Sequence, residues 1–335
     1  MKMAENPGAM RPTSPAARAT QTRSDGSLRH LLTLEGLSRR MIEQLLERAR
    51  AWARPLGMPA ARGDALAGVT VATLFTEPST RTRVSFELAA QRLGADVASV
   101  EVQLSSRLKG ESMLDTVHTL ESLHVDVFVL RDPHDAVPDL VAADVAPHVS
   151  VLSGGAGSYS HPTQGLLDAL TVIEHKGRVD GLAIAIVGDV KHSRVARSAW
   201  QVFTALGVRE LRIVAPPLLM PARGEFAGCM RAEQIEAGIA DCDVVMMLRI
   251  QKERMAAAAI PDGDAYFADW GLTAARLKRA HPQAIVMHPQ PMNRGVEIAS
   301  EVADGPQSAI RDQVRNGVAV RMAVLETVIA GRANT

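Results

Sequence analysis

The sequence predicts an α/β protein made of two doubly wound open domains with mostly parallel sheets. Three observations carry that expectation. At about 150 residues per domain, a chain of 335 residues is long enough for two separate cores. Strand-sized runs recur that are almost continuously apolar, the pattern of parallel strands covered by helices on both faces. Helical patterns lie between most of those runs, and this alternation belongs to open α/β sheets.

Taken in order, strands are expected near Val69–Phe75, Val97–Val102, Val125–Leu130, Val149–Leu152, Leu182–Val187, Leu211–Val214, Val244–Leu248 and Ala284–Met287. Helices are expected over Arg39–Trp52, Thr80–Leu93, Met113–Leu123, Gln164–His175, Val195–Leu206 and Val318–Ile329. In the second of these, Phe86, Ala89, Ala90 and Leu93 fall at i, i+3, i+4 and i+7, and Gly94 follows as a stop. A division between halves is expected near residue 160, after the glycine-rich stretch Ser153–Ser160. The segment Ala215–Gly224, with its prolines, reads as a surface connection inside the second half.

Composition narrows the function. Lysine plus arginine number 37 and aspartate plus glutamate also 37, so the formal net charge is zero. That balance argues against a protein whose main task is coating nucleic acid or an anionic membrane. Aromatic residues make up only 3%, too few for stacking platforms on single-stranded nucleic acid. The longest apolar runs fall far short of the ~18 residues that span a bilayer. Two cysteines, Cys229 and Cys242, form no Cys-x-x-Cys and suit a reducing compartment. Residues 1–27 read as a disordered or partner-binding tail without a secretory signal, and the expected location is cytoplasmic.

The unusual polar residues sit where the apolar strands end. The first strand runs into Thr76-Glu77-Pro78-Ser79-Thr80-Arg81-Thr82-Arg83, and the third into Arg131. The fourth leads through glycines to His161-Pro162-Thr163-Gln164. Later strands run into Gly188-Asp189-Val190-Lys191-His192-Ser193-Arg194, Arg249-Ile250-Gln251 and His288-Pro289-Gln290-Pro291. Ligands of open α/β sheets bind outside the carboxyl ends of the strands. Six segments placing Arg, His, Gln or Ser there describe one site.

Each cluster also has a plainer reading. Ser79 after Pro78 is an N-cap candidate, and capping plus surface charge would account for Ser79 and Thr80 alone. Two arginines among the hydroxyls favour an anion site that uses the free amides and the positive end of the helix. Arg131 could simply end a strand, and a lone His161 could be structural; beside Pro162, Gln164 and a glycine-rich loop it is a carbonyl-polarising candidate. Gly188-Asp189 is half of a dinucleotide fingerprint lacking its other glycines. Lys252-Glu253-Arg254 reads as a solvated charge run, whereas Arg249 and Gln251 take strand-end positions. There is no nucleophile elbow, no metal pattern and no paired carboxylate. A cationic, hydroxylic site of this kind suits group transfer from a phosphorylated donor to an anionic acceptor, by positioning and charge stabilisation.

The segment Ser79-Thr80-Arg81-Thr82-Arg83-Val84-Ser85-Phe86-Glu87, with Arg131, His161-Pro162-Thr163-Gln164 and His288-Pro289-Gln290-Pro291 in that order, resembles the aspartate/ornithine carbamoyltransferase family over about residues 29–331. The resemblance implies two domains joined by interdomain helices: residues 28–161 with 310–335 binding carbamoyl phosphate, and 162–309 binding the acceptor. It implies Ser79, Thr80, Arg81 and Thr82 at the phosphate; Arg131, His161 and Thr82 at the carbonyl oxygen; and Gln164 with the Pro289 and Gln290 carbonyls at the carbamoyl amide. Ser105-Ser106-Arg107-Leu108-Lys109-Gly110-Glu111 resembles the loop by which a neighbouring subunit completes the site, through Ser105 and Lys109. Arg194, Arg249 and Gln251, with Lys109, are implied for the two carboxylates of the acceptor.

Ornithine carries an ammonium that these cations would repel, so the aspartate branch is favoured. The implied activity is transfer of the carbamoyl group to the α-amine of L-aspartate, giving N-carbamoyl-L-aspartate and phosphate in de novo pyrimidine biosynthesis, with no cofactor and no metal. The implied assembly is a homotrimer with shared sites. The segment Ser27-Leu28-Arg29-His30 is similar to that of bacterial members that associate with a dihydroorotase or dihydroorotase-like chain, and no nucleic-acid or membrane partner is expected. Gln290 departs from the family, where a small or aliphatic residue stands between the prolines.

Overall fold

The computed structural model describes residues 21–100, 112–251, 254–255 and 262–334. They form an α/β fold with two sheets of parallel strands. The first sheet holds β1 (Thr70–Phe75), β2 (Asp96–Val100), β3 (Val127–Asp132) and β4 (Ser150–Ala156) in the order β2-β1-β3-β4. The second holds β5 (Ala183–Val187), β6 (Glu210–Val214), β7 (Met230–Ala232), β8 (Val244–Met247) and β9 (Ile285–Met287) in the order β7-β6-β5-β8-β9. The central strands are sealed on both faces, as continuous apolar runs require: every residue of β5 and β8 is buried.

All eight expected strands are present, as are the six expected helices: α1 (Arg39–Trp52), α2 (Thr80–Arg92), α3 (Met113–Ser122), α5 (Pro162–Lys176), α6 (Arg194–Ala205) and α11 (Ile310–Ala330). The structure adds the short strand β7 and five short helices: α4 (Val137–Asp144), α7 (Ile235–Ile239), α8 (Gly263–Trp270), α9 (Ala274–Leu277) and α10 (Ser300–Ala303). These are too brief to show a helical period in sequence.

Local chemistry sets the helix ends. Ser38 caps α1 by accepting from the Met41 amide, and Ile42, Leu45, Leu46 and Ala49 form its buried stripe. Ser112 and Asp115 close a reciprocal capping box on α3. Gly94 and Gly177 take φ of +85° and +80° just past α2 and α5, where an L side chain would be strained. Most of α5 is buried because it is wedged between helices, packing on α1, α6 and α11. Helix α11 in turn lies against α1, α2 and α5, so the C-terminus returns to the first sheet's half.

Residues 21–27 depart from the expected tail. Gln21 is buried and its side-chain oxygen accepts from the amides of Leu32 and Thr33. Arg23 donates to the carbonyls of Leu28 and Val328, and Arg29 to those of Val145, Ala146 and Val149. Backbone acceptors inside the chain draw Arg23 and Arg29 in.

Gly188 at the end of β5 has φ +119°, and a Cβ there would meet the Leu248 carbonyl oxygen at 2.7 Å. Gly188→Ala is therefore expected to lower stability by about 2 kcal/mol or more, read from chemical denaturation; an unchanged midpoint would mean this crossing is not close-packed.

Candidate functional site

In each sheet the strand order reverses once at the centre, between β1 and β3 in the first and between β5 and β8 in the second. Such switch points open a crevice at the strands' carboxyl ends. Here both crevices face one cleft of about 1320 Å³. Its lining includes every sequence-derived site residue among those described: Ser79, Thr80, Arg81, Thr82, Arg131, His161, Gln164, Arg194, Arg249, Gln251, Pro289 and Gln290. Ser105 and Lys109 lie outside the described residues.

The phosphate-type half begins after β1. Ser79 stands at the N-cap position of α2 but its hydroxyl makes no capping bond, so it is not used up by the helix as the sequence suggested. Thr82 is buried in the first turn, and burial together with the nearby Arg249 cation lowers the Arg81 pKa. A helix start with uncapped amides and a guanidinium is an anion receptor.

Arg131 owes its aim to a bulge. The β3–β4 register shifts between Leu130↔Ser153 and Arg131↔Gly155, leaving Gly154 as the extra residue. Arg131 donates to the Gly154 carbonyl at 3.1 Å, and Gly155, at φ +128°, leaves room where a Cβ would sit 3.0 Å from both guanidinium groups of Arg131 and Arg194. Burial and the Arg194 cation, opposed by Glu77, bring Arg131 down to about 9, so it stays charged at neutral pH.

Glu77 is the carboxylate that sequence reasoning passed over. It accepts from Arg131 at 2.9 Å and from Arg194 at 2.7 Å, joining β3 of one sheet to the first residue of α6 beside the other. Burial alone would raise its pKa; the Arg194 hydrogen bond and the charges of Arg194, Arg131 and Arg254 outweigh that and hold it below the usual carboxylate range. Its signal was a lone acid inside a segment of hydroxyls and arginines. Arg321, buried on α11 with its guanidinium 4.9 Å from the Phe86 ring centre, also lines the cleft and was missed because it lies within a helical apolar pattern.

His161 is held by its amide, which donates to Ser198 Oγ at 2.9 Å. Burial, then the cations Arg131, Arg194 and Arg321, push its pKa well below 6.5, so the ring is neutral. Behind it, Gln164 donates to Asp168 at 2.9 Å.

On the second sheet's side, Asp189 clamps two switch-point loops: Oδ1 pairs with His192 Nδ1 at 2.8 Å and Oδ2 accepts from the Gln251 amide at 3.0 Å. The residue that suggested half a dinucleotide fingerprint therefore holds Gln251 in place. Arg254, read as part of a solvated run, donates to the His192 carbonyl and lines the cleft. The Pro289–Gln290 turn is fixed by His288, whose Nδ1 accepts from the Gln290 amide and whose Nε2 pairs with buried Glu297 at 3.2 Å; Gln290 sits at φ +56°. No group of three or more metal-ligating side chains occurs among the described residues, and no described helix is long and apolar enough to cross a membrane.

This geometry agrees with what comparison finds. Residues 29–174 match the aspartate/ornithine carbamoyltransferase carbamoyl-phosphate-binding domain, and residues 180–328 the Asp/Orn-binding domain. The chain belongs to the aspartate/ornithine carbamoyltransferase family. It is a carbamoyltransferase. Aspartate transcarbamoylase of Trypanosoma cruzi in complex with carbamoyl phosphate is similar at 34% identity and TM-score 0.81, covering 90% of this chain and 96% of that one. The same protein in complex with N-(phosphonacetyl)-L-aspartic acid is similar at 32% and 0.78, covering 96% and 100%. Ornithine carbamoyltransferase of Pyrococcus furiosus is similar at 30% and 0.77, covering 90% and 97%.

Asp168 supplies a pH test of the site's burial. Burial, opposed by the Gln313 and Gln164 hydrogen bonds, raises its carboxyl from 3.8 to about 7. A raised carboxyl binds its proton more tightly folded than unfolded, so it favours the fold at low pH and costs stability as pH climbs from about 4 through 7. Thermal unfolding across pH 4–8 should show a smaller loss at the alkaline end for Asp168→Asn than for the wild type; parallel curves would refute the assignment.

Proposed function

We propose that this chain transfers the carbamoyl group of carbamoyl phosphate to the α-amine of L-aspartate, giving N-carbamoyl-L-aspartate and phosphate for pyrimidine synthesis. The observation that carries the reading is the opening of both switch points on one cationic cleft, with a helix-start anion receptor on one side and two further arginines on the other. Ser79, Thr80, Arg81 and Thr82 hold the phosphate. Arg131, neutral His161 and Thr82 face the carbonyl oxygen, whose growing negative charge they stabilise. The aspartate amine attacks the carbonyl carbon, a C–N bond forms, and the bond from that carbon to the phosphate oxygen breaks. The amine proton leaves on the departing phosphate, since Glu77, held between two arginines and below the usual carboxylate range, is a poor base.

Arg194 and Arg249, with Gln251, take the acceptor's carboxylates. Ornithine carbamoyltransferases share the fold, so branch chemistry rests on charge: guanidinium groups bind carboxylates bidentately and repel an ammonium. A homotrimer in which Ser105 and Lys109 of a neighbour complete each site is the assembly this reading requires, and residues 28–161 with 310–335 and residues 162–309 are its two substrate halves.

Assay with carbamoyl phosphate and either aspartate or ornithine should give turnover with aspartate; turnover with ornithine alone would overturn the reading. Arg81→Ala should raise the carbamoyl phosphate KM or abolish its use, and Arg249→Ala should chiefly raise the aspartate KM, each by tenfold or more. Equal effects on both substrates would mean the halves are misassigned. Mixing inactive Arg81→Ala chains with inactive Lys109→Ala chains should restore activity, and its absence after verified exchange would exclude shared sites.

A further inference from the structure

A chain of hydrogen bonds behind the cleft has one consistent direction while Asp168 is ionised. It starts at the His288 main-chain amide, which can only donate and does so to the Gln313 side-chain oxygen at 2.9 Å. With its oxygen so occupied, Gln313 must present its NH₂ on the other side, and that group donates to Asp168 Oδ1 at 2.8 Å. The same oxygen receives the NH₂ of Gln164 at 2.9 Å. With Asp168 ionised, turning the Gln164 amide over would set two acceptors against each other in a dry interior, since Asp168, Gln313 and Gln164 are all buried. Asp168 Oδ2 has no partner among the described residues, so Oδ1 alone carries the carboxylate's hydrogen bonds.

We propose that Asp168 is a positioning residue that fixes the roll of the Gln164 amide, turning its oxygen toward the cleft, and so sets the preference for an acyl phosphate bearing N–H groups over one bearing a methyl. The inference rests on the reading of Gln164 as the partner of the carbamoyl amide. A site that offers an oriented acceptor loses a hydrogen bond when the ligand cannot donate, and rejects that ligand. Without Asp168 the Gln164 amide rotates freely and can present its NH₂ instead. Burial alone explains none of this direction; it follows from a backbone amide at residue 288 that cannot reverse its polarity. The path runs from the turn at β9 through α11 to α5, so the donor's orientation is set from the opposite sheet's half.

The test compares kcat/KM for carbamoyl phosphate and for acetyl phosphate, with aspartate as acceptor, in wild type, Asp168→Asn, Asp168→Ala and Gln313→Leu. Wild-type turnover with carbamoyl phosphate is the entry condition, and its failure would strike the proposed function rather than Asp168. Asp168→Ala should lower the carbamoyl-to-acetyl ratio at least tenfold, Gln313→Leu about threefold, and Asp168→Asn, which keeps Oδ1, should hold the ratio within about threefold. A purely structural role would lower both donors together and leave the ratio unchanged. An unchanged ratio in Asp168→Ala, or in Gln313→Leu should the alanine variant fail to fold, overturns the proposal, as does an Asp168→Asn ratio that falls as far as that of alanine.

Discussion

The Glu77 carboxylate between Arg131 and Arg194 is the interaction on which the site depends. The cleft gathers Arg81, Arg131, Arg194, Arg249, Arg254 and Arg321 along its wall. Cations at that density repel one another and lose hydration, which is why burial and neighbouring charge lower both Arg81 and Arg131. One acid placed between two of the most buried guanidinium groups offsets much of that repulsion, and its two partners hold it ionised. Removing one member of such a buried set leaves an uncompensated charge, costing on the order of 3–5 kcal/mol. A pair of this kind therefore fixes where the two sheets' ends stand relative to each other.

Why the sheets deliver their polar residues to a common place is a matter of strand order. In β2-β1-β3-β4 the chain leaves β1 and β3 on opposite sides, and in β7-β6-β5-β8-β9 it does so at β5 and β8. The segments leaving neighbouring strands in opposite directions must part, and the gap holds Ser79–Thr82 and Arg131 in one half, Arg194, Arg249 and Gln251 in the other. This much was legible in sequence, because apolar runs mark parallel strands and whatever follows each run lies at a carboxyl end. Arg131 needed more than its place in the run: the bulge at Gly154 and the missing Cβ at Gly155 turn it inward.

What sequence could not disclose are contacts between distant segments. Glu77 sits in plain view beside Ser79, yet its role depends on Arg131 and Arg194 arriving from two other strands. Gln21 looked like tail because its neighbourhood is rich in Ala, Pro and Ser, and only the amides of Leu32 and Thr33, which donate to its side chain, explain why the chain docks from there. Gln313 and Asp168 read as ordinary polar positions on helical faces; their meaning comes from α5 and α11 packing together. The short elements β7, α4 and α7–α10 carry too few residues for a period, and their existence follows from the strands they connect.

The neutral global charge and the cationic cleft are two sides of one arrangement. With 37 bases against 37 acids, a wall of arginine has to be compensated elsewhere, and the outer ion pairs Arg39–Glu43, Arg294–Asp304 and Arg276–Glu236 show where acids are spent. The exposed pairs Arg39–Glu43 and Arg294–Asp304 contribute little each and are weakened by salt. Inside the cleft the balance differs, because Glu77 answers two arginines while Arg81, Arg249, Arg254 and Arg321 line the same wall. A ligand carrying several negative charges would complete that balance. Neutral His161 fits the same balance: among so many cations, an uncharged ring adds no further charge that would have to be offset.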